Sequence, residues 1–229
     1  MSTVAENLAR VREEIAQAAR QAGRDPAEVK LVAVSKVHPA EKVRQALAAG
    51  QRIFGENYVQ EAQAKIPQVG PGPQWHFIGH LQSNKAKVAA GIFDVIQTVD
   101  RVKLARALSR QAQAQGRELE VLLQVNLGGE PQKSGCEAGE AAALAQEVAA
   151  LPGLTLRGLM TMPPFFDDPD KARPIFAGLR ELADRLSRDL PPGSMDELSM
   201  GMSGDFKAAI AEGATLVRIG TAIFGQRVR

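Results

Sequence analysis

Eight short apolar runs, each followed by a polar turn and then an amphipathic stretch, constrain this chain more than any other feature of its sequence. The runs are Lys30–Ser35, Arg52–Gly55, Trp75–Gly79, Asp94–Val99, Leu119–Val125, Thr155–Thr161, Asp196–Met200 and Thr215–Gly220. The stretches between them repeat apolar residues at helical spacing. Pro39–Ala49 has proline in its first turn, Val43 and Leu47 on one face, and Gly50 behind it. Val102–Gln115 carries Leu104 and Leu108, and Glu137–Ala150 carries Leu144 and Val148. Asp170–Arg188 carries Ile175, Leu179, Leu182 and Leu186, and Ser203–Ala211 carries Phe206 and Ile210. A further helix opens the chain, with Val4, Leu8, Val11, Ile15, Ala18 and Ala22 on one face. Thr3 and Glu6 are spaced for a capping box, and Gly23 is its stop.

Strands alternating with helices specify a parallel sheet. Eight such units in 229 residues predict an α/β fold, a closed (β/α)₈ barrel of the TIM type with an extra N-terminal helix; about 250 residues is typical for that architecture. The competing doubly wound sheet often opens with a glycine-rich turn after its first strand. Here the first run ends Ser35-Lys36-Val37-His38-Pro39, without glycine. Pro67–Pro73 and Pro191–Gly193 read as turns, so residues 1–229 are expected to form one barrel domain.

Composition narrows the class of function. Lys and Arg number 28 against 26 Asp and Glu, a net charge of +2, which gives no basic bias of the kind nucleic-acid binders show. No apolar stretch approaches the length of a spanning helix, and the charged N-terminal segment lacks a signal-peptide core. Cys136 is the only cysteine, which rules out an intrachain disulfide. The expectation is a cytoplasmic protein that binds neither nucleic acid nor membrane.

In such a barrel, chemistry gathers at the C-terminal ends of the strands. Lys36 closes the first apolar run, where its amine would reach the barrel mouth. Burial disfavours the ammonium, and a neutral amine forms an imine with a carbonyl. The alternative is a surface lysine that begins a loop. The seventh run leads into Met200-Gly201-Met202-Ser203-Gly204-Asp205, and the eighth into Gly220-Thr221. Glycine beside a hydroxyl, after the last two strands, is where this fold often binds phosphate. Taken singly, Ser203 also reads as a helix cap and Gly220 as a turn.

An imine-forming lysine and a phosphate site at one mouth suggest pyridoxal 5′-phosphate. Arg218, inside the apolar strand Leu216-Val217-Arg218-Ile219, is placed to hydrogen-bond the ring nitrogen. An acid there would keep that nitrogen protonated; an arginine would not. The alternative for Arg218 is a carboxylate partner between strand and helix. His76 and His80, about 13 Å apart along a strand, are too distant for one metal. His38 reads as a cap or loop residue. Lys133, in the loop after the fifth run, is the second candidate for an imine or anion contact. Cys136 reads as a helix-start residue whose thiol, if exposed, would be reactive.

These residues resemble the pyridoxal phosphate homeostasis protein family, of the YggS type, whose barrel is like the N-terminal domain of alanine racemase. The matching stretches are Leu31-Val32-Ala33-Val34-Ser35-Lys36, Phe54-Gly55-Glu56-Asn57-Tyr58, Trp75 to Lys85, Gly158-Leu159-Met160-Thr161-Met162, Leu198 to Ser203, and Val217 to Gly225. The resemblance implies the cofactor in a Schiff base with Lys36 and its phosphate near Ser203, Gly204, Gly220 and Thr221. It also implies Arg218 near the ring nitrogen and Asn57 lining the pocket. One departure is Gly204, where members often carry an acidic residue; it leaves the phosphate loop intact. The implied role is to bind, buffer and deliver the cofactor, with effects on amino-acid and keto-acid balance. It further implies apo forms of pyridoxal-phosphate enzymes as partners, a monomeric state, and no dedicated catalytic activity. The alternative is a racemase-like enzyme. Racemases that resemble this barrel take a second-face tyrosine from a further β-rich domain, whereas this chain ends at Arg229 and its only tyrosine is Tyr58. A third reading is a barrel aldolase that forms an imine directly with a phosphorylated sugar.

Overall fold

A computed structural model describes residues 2–129 and 134–226. Its strands are β1 (Lys30–Val34), β2 (Ile53–Glu56), β3 (Gln74–Phe77), β4 (Val95–Val99), β5 (Leu119–Asn126), β6 (Cys136–Glu137), β7 (Leu154–Met160), β8 (Glu197–Ser199) and β9 (Leu216–Ile219). Its helices are α1 (Val4–Gln21), α2 (Ala40–Ala48), α3 (Val59–Val69), α4 (Ala86–Ile92), α5 (Val102–Ala114), α6 (Ala141–Ala149), α7 (Arg173–Leu186), α8 (Phe206–Ala211) and α9 (Thr221–Phe224). The strand order is β4-β3-β2-β1-β9-β8-β7-β5, and a β4–β5 pairing closes the ring. Every pairing is parallel. This is the eight-stranded TIM-like barrel that the alternating runs specify.

The strands are buried on both faces because helices cover the outside and side chains fill the inside. Outward residues such as Ala33, Phe54, Phe77, Ile96, Leu123 and Ile219 join the main core under the helices. Inward residues Val32, Val95, Leu122, Met160 and Leu216 form a separate apolar layer inside the barrel. Buried polar side chains share the strands of this interior: His76, Gln97, Ser199 and Arg218.

The N-terminal helix has its capping box: Glu6 N–H donates to Thr3 Oγ1 at 3.2 Å, and Thr3 N–H donates to Glu6 Oε2 at 2.8 Å. It packs on the side of the barrel, where Asn7 Nδ2 donates to the Ile223 carbonyl at 3.0 Å. Gly23 follows it at φ +70°.

Several boundaries differ from the sequence reading. Helices α3, α4 and α9 come in addition, and Pro67 lies within α3 rather than in a turn. The sixth helix starts at Ala141, not Glu137, because Cys136 and Glu137 pair with Val125 and Asn126 of β5. Helix α8 starts at Phe206, because the Asp205 and Phe206 N–H groups both bond the Met202 carbonyl in a preceding turn. No helix among the described residues is long and apolar enough to cross a membrane.

Candidate functional site

The C-terminal ends of the strands open into two joined cavities. The inner one, about 150 Å³, is lined by Lys36, Asn57, Ser203, Arg218, Gly220 and Thr221 together with apolar neighbours. The outer one, about 550 Å³, shares Asn57, Ile78, Met162, Met202 and Ser203 and adds Gly204. Six of the seven residues singled out in the sequence therefore meet around the inner cavity, and the seventh borders the outer one.

Each is delivered by a strand end. Lys36 stands two residues beyond β1, half-buried. Asn57 follows β2, and its Oδ1 is buried without a hydrogen-bond partner. A glycine is required beside it: a Cβ on Gly79, after β3, would lie 2.1 Å from the Asn57 carbonyl oxygen. Gly220 follows β9, and a Cβ there would come within 3.0 Å of the Val34 carbonyl oxygen.

Ser203 and Gly204 sit in the turn before α8. That turn is held by the Met202 carbonyl and by Met202 N–H donating to Asp205 Oδ1 at 2.6 Å. Ser203 and Gly204 take no part in those bonds, and both are exposed. Asp205, not Ser203, occupies the cap position of α8. Helices α8 and α9 have only six and four residues. Any anion held here is therefore bound through local N–H and hydroxyl groups, not through a long helix dipole.

Arg218 points into the barrel and is fully enclosed, 3% exposed. Its Nη1 donates to Ser199 Oγ at 2.7 Å and its Nη2 to the Thr161 carbonyl at 2.9 Å. These partners replace the strand–helix carboxylate considered from sequence. Burial pushes the guanidinium down to about 10, and the nearby Asp205 carboxylate works against that. It remains charged at neutral pH. A guanidinium has five N–H groups, so donors remain for a ligand in the cavity that Arg218 lines. Behind it, Ser199 Oγ donates to Gln97 Oε1 at 2.6 Å, and Gln97 Nε2 meets His76 Nδ1 at 2.7 Å.

Sequence reasoning missed some of the lining. His38 is buried against Phe224, with ring centroids 5.4 Å apart, and lines the inner cavity. Met162 and Met202 line both cavities, and Phe165 the outer one. Their position just beyond β7 and β8 was the available signal. His80 is exposed at the outer cavity and pairs through Nδ1 with Ser134 Oγ at 3.0 Å, while His76 is enclosed in the barrel. Lys133 lies outside the described residues. Cys136 is neither a helix start nor an exposed thiol: it is buried in β6, and burial pushes its thiol up to about 12. Tyr58 is 56% exposed and lines neither cavity.

The barrel and the polar groups at its mouth define the class: residues 7–228 match the family described as alanine racemase, N-terminal domain. Alanine racemase from Corynebacterium glutamicum superposes with a TM-score of 0.71 at 20% identity, over 97% of this chain and 60% of that one, a likeness of fold. The pyridoxal phosphate homeostasis protein of Pseudomonas aeruginosa is 52% identical over 228 residues, 99% of this chain and 97% of the relative. That of Escherichia coli K12 is 46% identical over 238 residues, 99% of this chain and 98% of the relative. PipY of Synechococcus elongatus, solved with PLP bound, has a TM-score of 0.86 at 41% identity, over 97% of this chain and 100% of that one. The chain belongs to the pyridoxal phosphate homeostasis protein family.

Proposed function

We propose that this chain binds pyridoxal 5′-phosphate at the barrel mouth and serves to hold, buffer and release it. The observation that carries this reading is the convergence of Lys36, Arg218, Ser203, Gly220 and Thr221 on one small cavity. The residues fit the cofactor. The orphaned Oδ1 of Asn57 is an acceptor awaiting a polar ligand. Ser203 and Gly204 are exposed and uncommitted to the turn that carries them, as phosphate donors must be. PipY, a relative solved with PLP bound, supports the same assignment.

Bound here, the cofactor would supply an aldehyde reactive towards amines. Lys36 provides that amine and the covalent attachment. Ser203, Gly204, Gly220 and Thr221 hold the phosphate. Arg218 would donate to the ring nitrogen, and a guanidinium there, unlike an acid, would leave that nitrogen unprotonated and the ring a weaker electron sink. Tyr58 is exposed and lines neither cavity, so it offers no second-face base of the racemase kind. Together these favour storage over turnover.

Delivery needs a receiver, and the reading takes this to be the apo form of a pyridoxal-phosphate enzyme. The described residues with large exposed apolar side chains are Val37, Tyr58, Met162, Phe165 and Met202. All follow strand C-terminal ends, around the mouth. The chain is taken to act as a monomer in the cytoplasm.

The test is the visible absorption spectrum of the purified protein before and after borohydride, with mass spectrometry of the peptide that contains Lys36. A reduced pyridoxyl adduct on Lys36 is expected. No chromophore, even after pyridoxal phosphate is added, would sink the reading and favour an aldolase.

A further inference from the structure

The turn that carries Lys36 is tied down by side chains that never touch the cavity. Ser35 to His38 form a four-residue turn, closed by His38 N–H donating to the Ser35 carbonyl at 3.1 Å. Its third residue, Val37, has φ +60° and is the only non-glycine with positive φ among the described residues. That position of a type II turn normally takes glycine, and a β-branched residue there is strained. The Val37 side chain is 51% exposed, so its own packing does not hold it in this conformation.

What holds it lies behind, on α3 and β2. Glu61 Oε1 accepts the Val37 N–H at 2.6 Å. Lys65, one helical turn further on, is buried and donates to the same Glu61 oxygen at 2.6 Å. Lys65 Nζ also donates to Glu56 Oε1 at 2.7 Å and to the Ser35 carbonyl at 2.8 Å. The Ser35 hydroxyl donates to Glu56 Oε1 at 2.7 Å. Both chain neighbours of Lys36 are thus bonded to one cluster of three charged side chains, Glu56 and Lys65 buried and Glu61 partly exposed, none of which lines either cavity. A buried ion pair is no better for stability than apolar packing of the same shape. Here the cluster has a specific product, a strained turn held in one conformation.

The geometry points to Glu61 and Lys65 as positioning residues for Lys36: they hold Val37 in the left-handed region and so fix where the Lys36 amine enters the cavity. The inference rests on Lys36 being the attachment residue proposed above. Loss of the Glu61 carboxylate lets Val37 relax to negative φ, and the turn re-aims the lysine. Glycine at position 37 removes the strain, so the turn no longer depends on Glu61.

The test compares wild type, E61A, V37G and the E61A/V37G double variant, each as the full chain freed of cofactor and then mixed with pyridoxal phosphate. The readouts are the rate at which the visible band appears and the borohydride-fixed yield on the Lys36 peptide. E61A is expected to slow adduct formation on the order of tenfold, the scale of left-handed strain in a non-glycine residue. V37G alone stays within about twofold of wild type, and the double variant within about twofold of V37G, so the two sites couple. E61M, which keeps the side chain's length without an acceptor, replaces E61A in both variants if E61A does not fold. Equal rates in E61A and wild type overturn the inference, and so does a double variant as slow as E61A. A wild type that forms no adduct on Lys36 overturns the reading of the site itself, and this inference with it.

Discussion

Arg218 and Ser199, on neighbouring strands β9 and β8, meet inside the barrel with Nη1 2.7 Å from the serine hydroxyl. That contact sets the direction of a whole chain. The serine hydroxyl has one proton and gives it to Gln97 Oε1, so the Gln97 amide nitrogen donates to His76 Nδ1. His76 therefore carries its proton on Nε2.

Replacing Ser199 with Ala strands both Arg218 Nη1 and Gln97 Oε1 in the barrel. Leaving buried polar groups unpaired costs about 1–3 kcal/mol. Urea unfolding of S199A should show a loss in that range. An unchanged midpoint would mean that the chain of bonds carries no stability.

His76 gives a pH prediction with a definite sign. Burial drives its imidazole down to about 3, with the Lys30 charge adding to the effect. In the unfolded chain it titrates near 6.5. Between those values the unfolded state binds the extra proton, so stability falls as pH falls from 6.5 towards 3. The slope contributed is about 1.4 kcal/mol per pH unit. The H76N variant, whose amide oxygen can still accept from Gln97, should lose stability less steeply over this window. Parallel curves for the two proteins would contradict the assignment.

Gly79→Ala tests the close approach at the rim. The added Cβ would fall 2.1 Å from the Asn57 carbonyl oxygen, which is backbone and cannot swing aside. Overpacking of this kind costs about 1–3 kcal/mol. The backbone at Asn57 must move, so pyridoxal phosphate affinity should fall together with stability. G79A with wild-type affinity would remove Asn57 from the binding site.

Lys36→Ala separates covalent attachment from phosphate anchoring. The borohydride-fixed adduct should vanish, while weaker, reversible binding remains through Ser203, Gly204, Gly220 and Thr221. Equilibrium dialysis measures that residue of affinity. If the variant delivers cofactor to an apo-enzyme as well as wild type does, Lys36 is not the carrying residue.

The barrel was readable because its signals are local. Most barrel strands lie in a mainly apolar run, and Lys36, Asn57, Ser203, Arg218 and Gly220 stand at or near the end of one. What escaped needs the third dimension or runs against local rules. Helix α3 ends through Pro67, a residue that usually marks a break, and α4 is only seven residues long. The two-residue β6 exists only because Val125 and Asn126 lie beside it. The clamp behind Lys36 joins Ser35 to Lys65, 30 residues apart, and Val37 to Glu61, 24 apart, through a helix whose presence the proline disguised. His38 reads as a loop residue until Phe224 arrives from the far end of the chain to bury it.

The apolar layer of Val32, Val95, Leu122, Met160 and Leu216 has a consequence for traffic. Val95, Leu122 and Leu216 of that layer also line, with His76, a hollow of about 50 Å³, room for little more than a water molecule. Among the described residues, that hollow shares no lining residue with the two cavities at the mouth. A ligand bound at the mouth would leave by the route it entered, so a molecule docked across the mouth would block its exit.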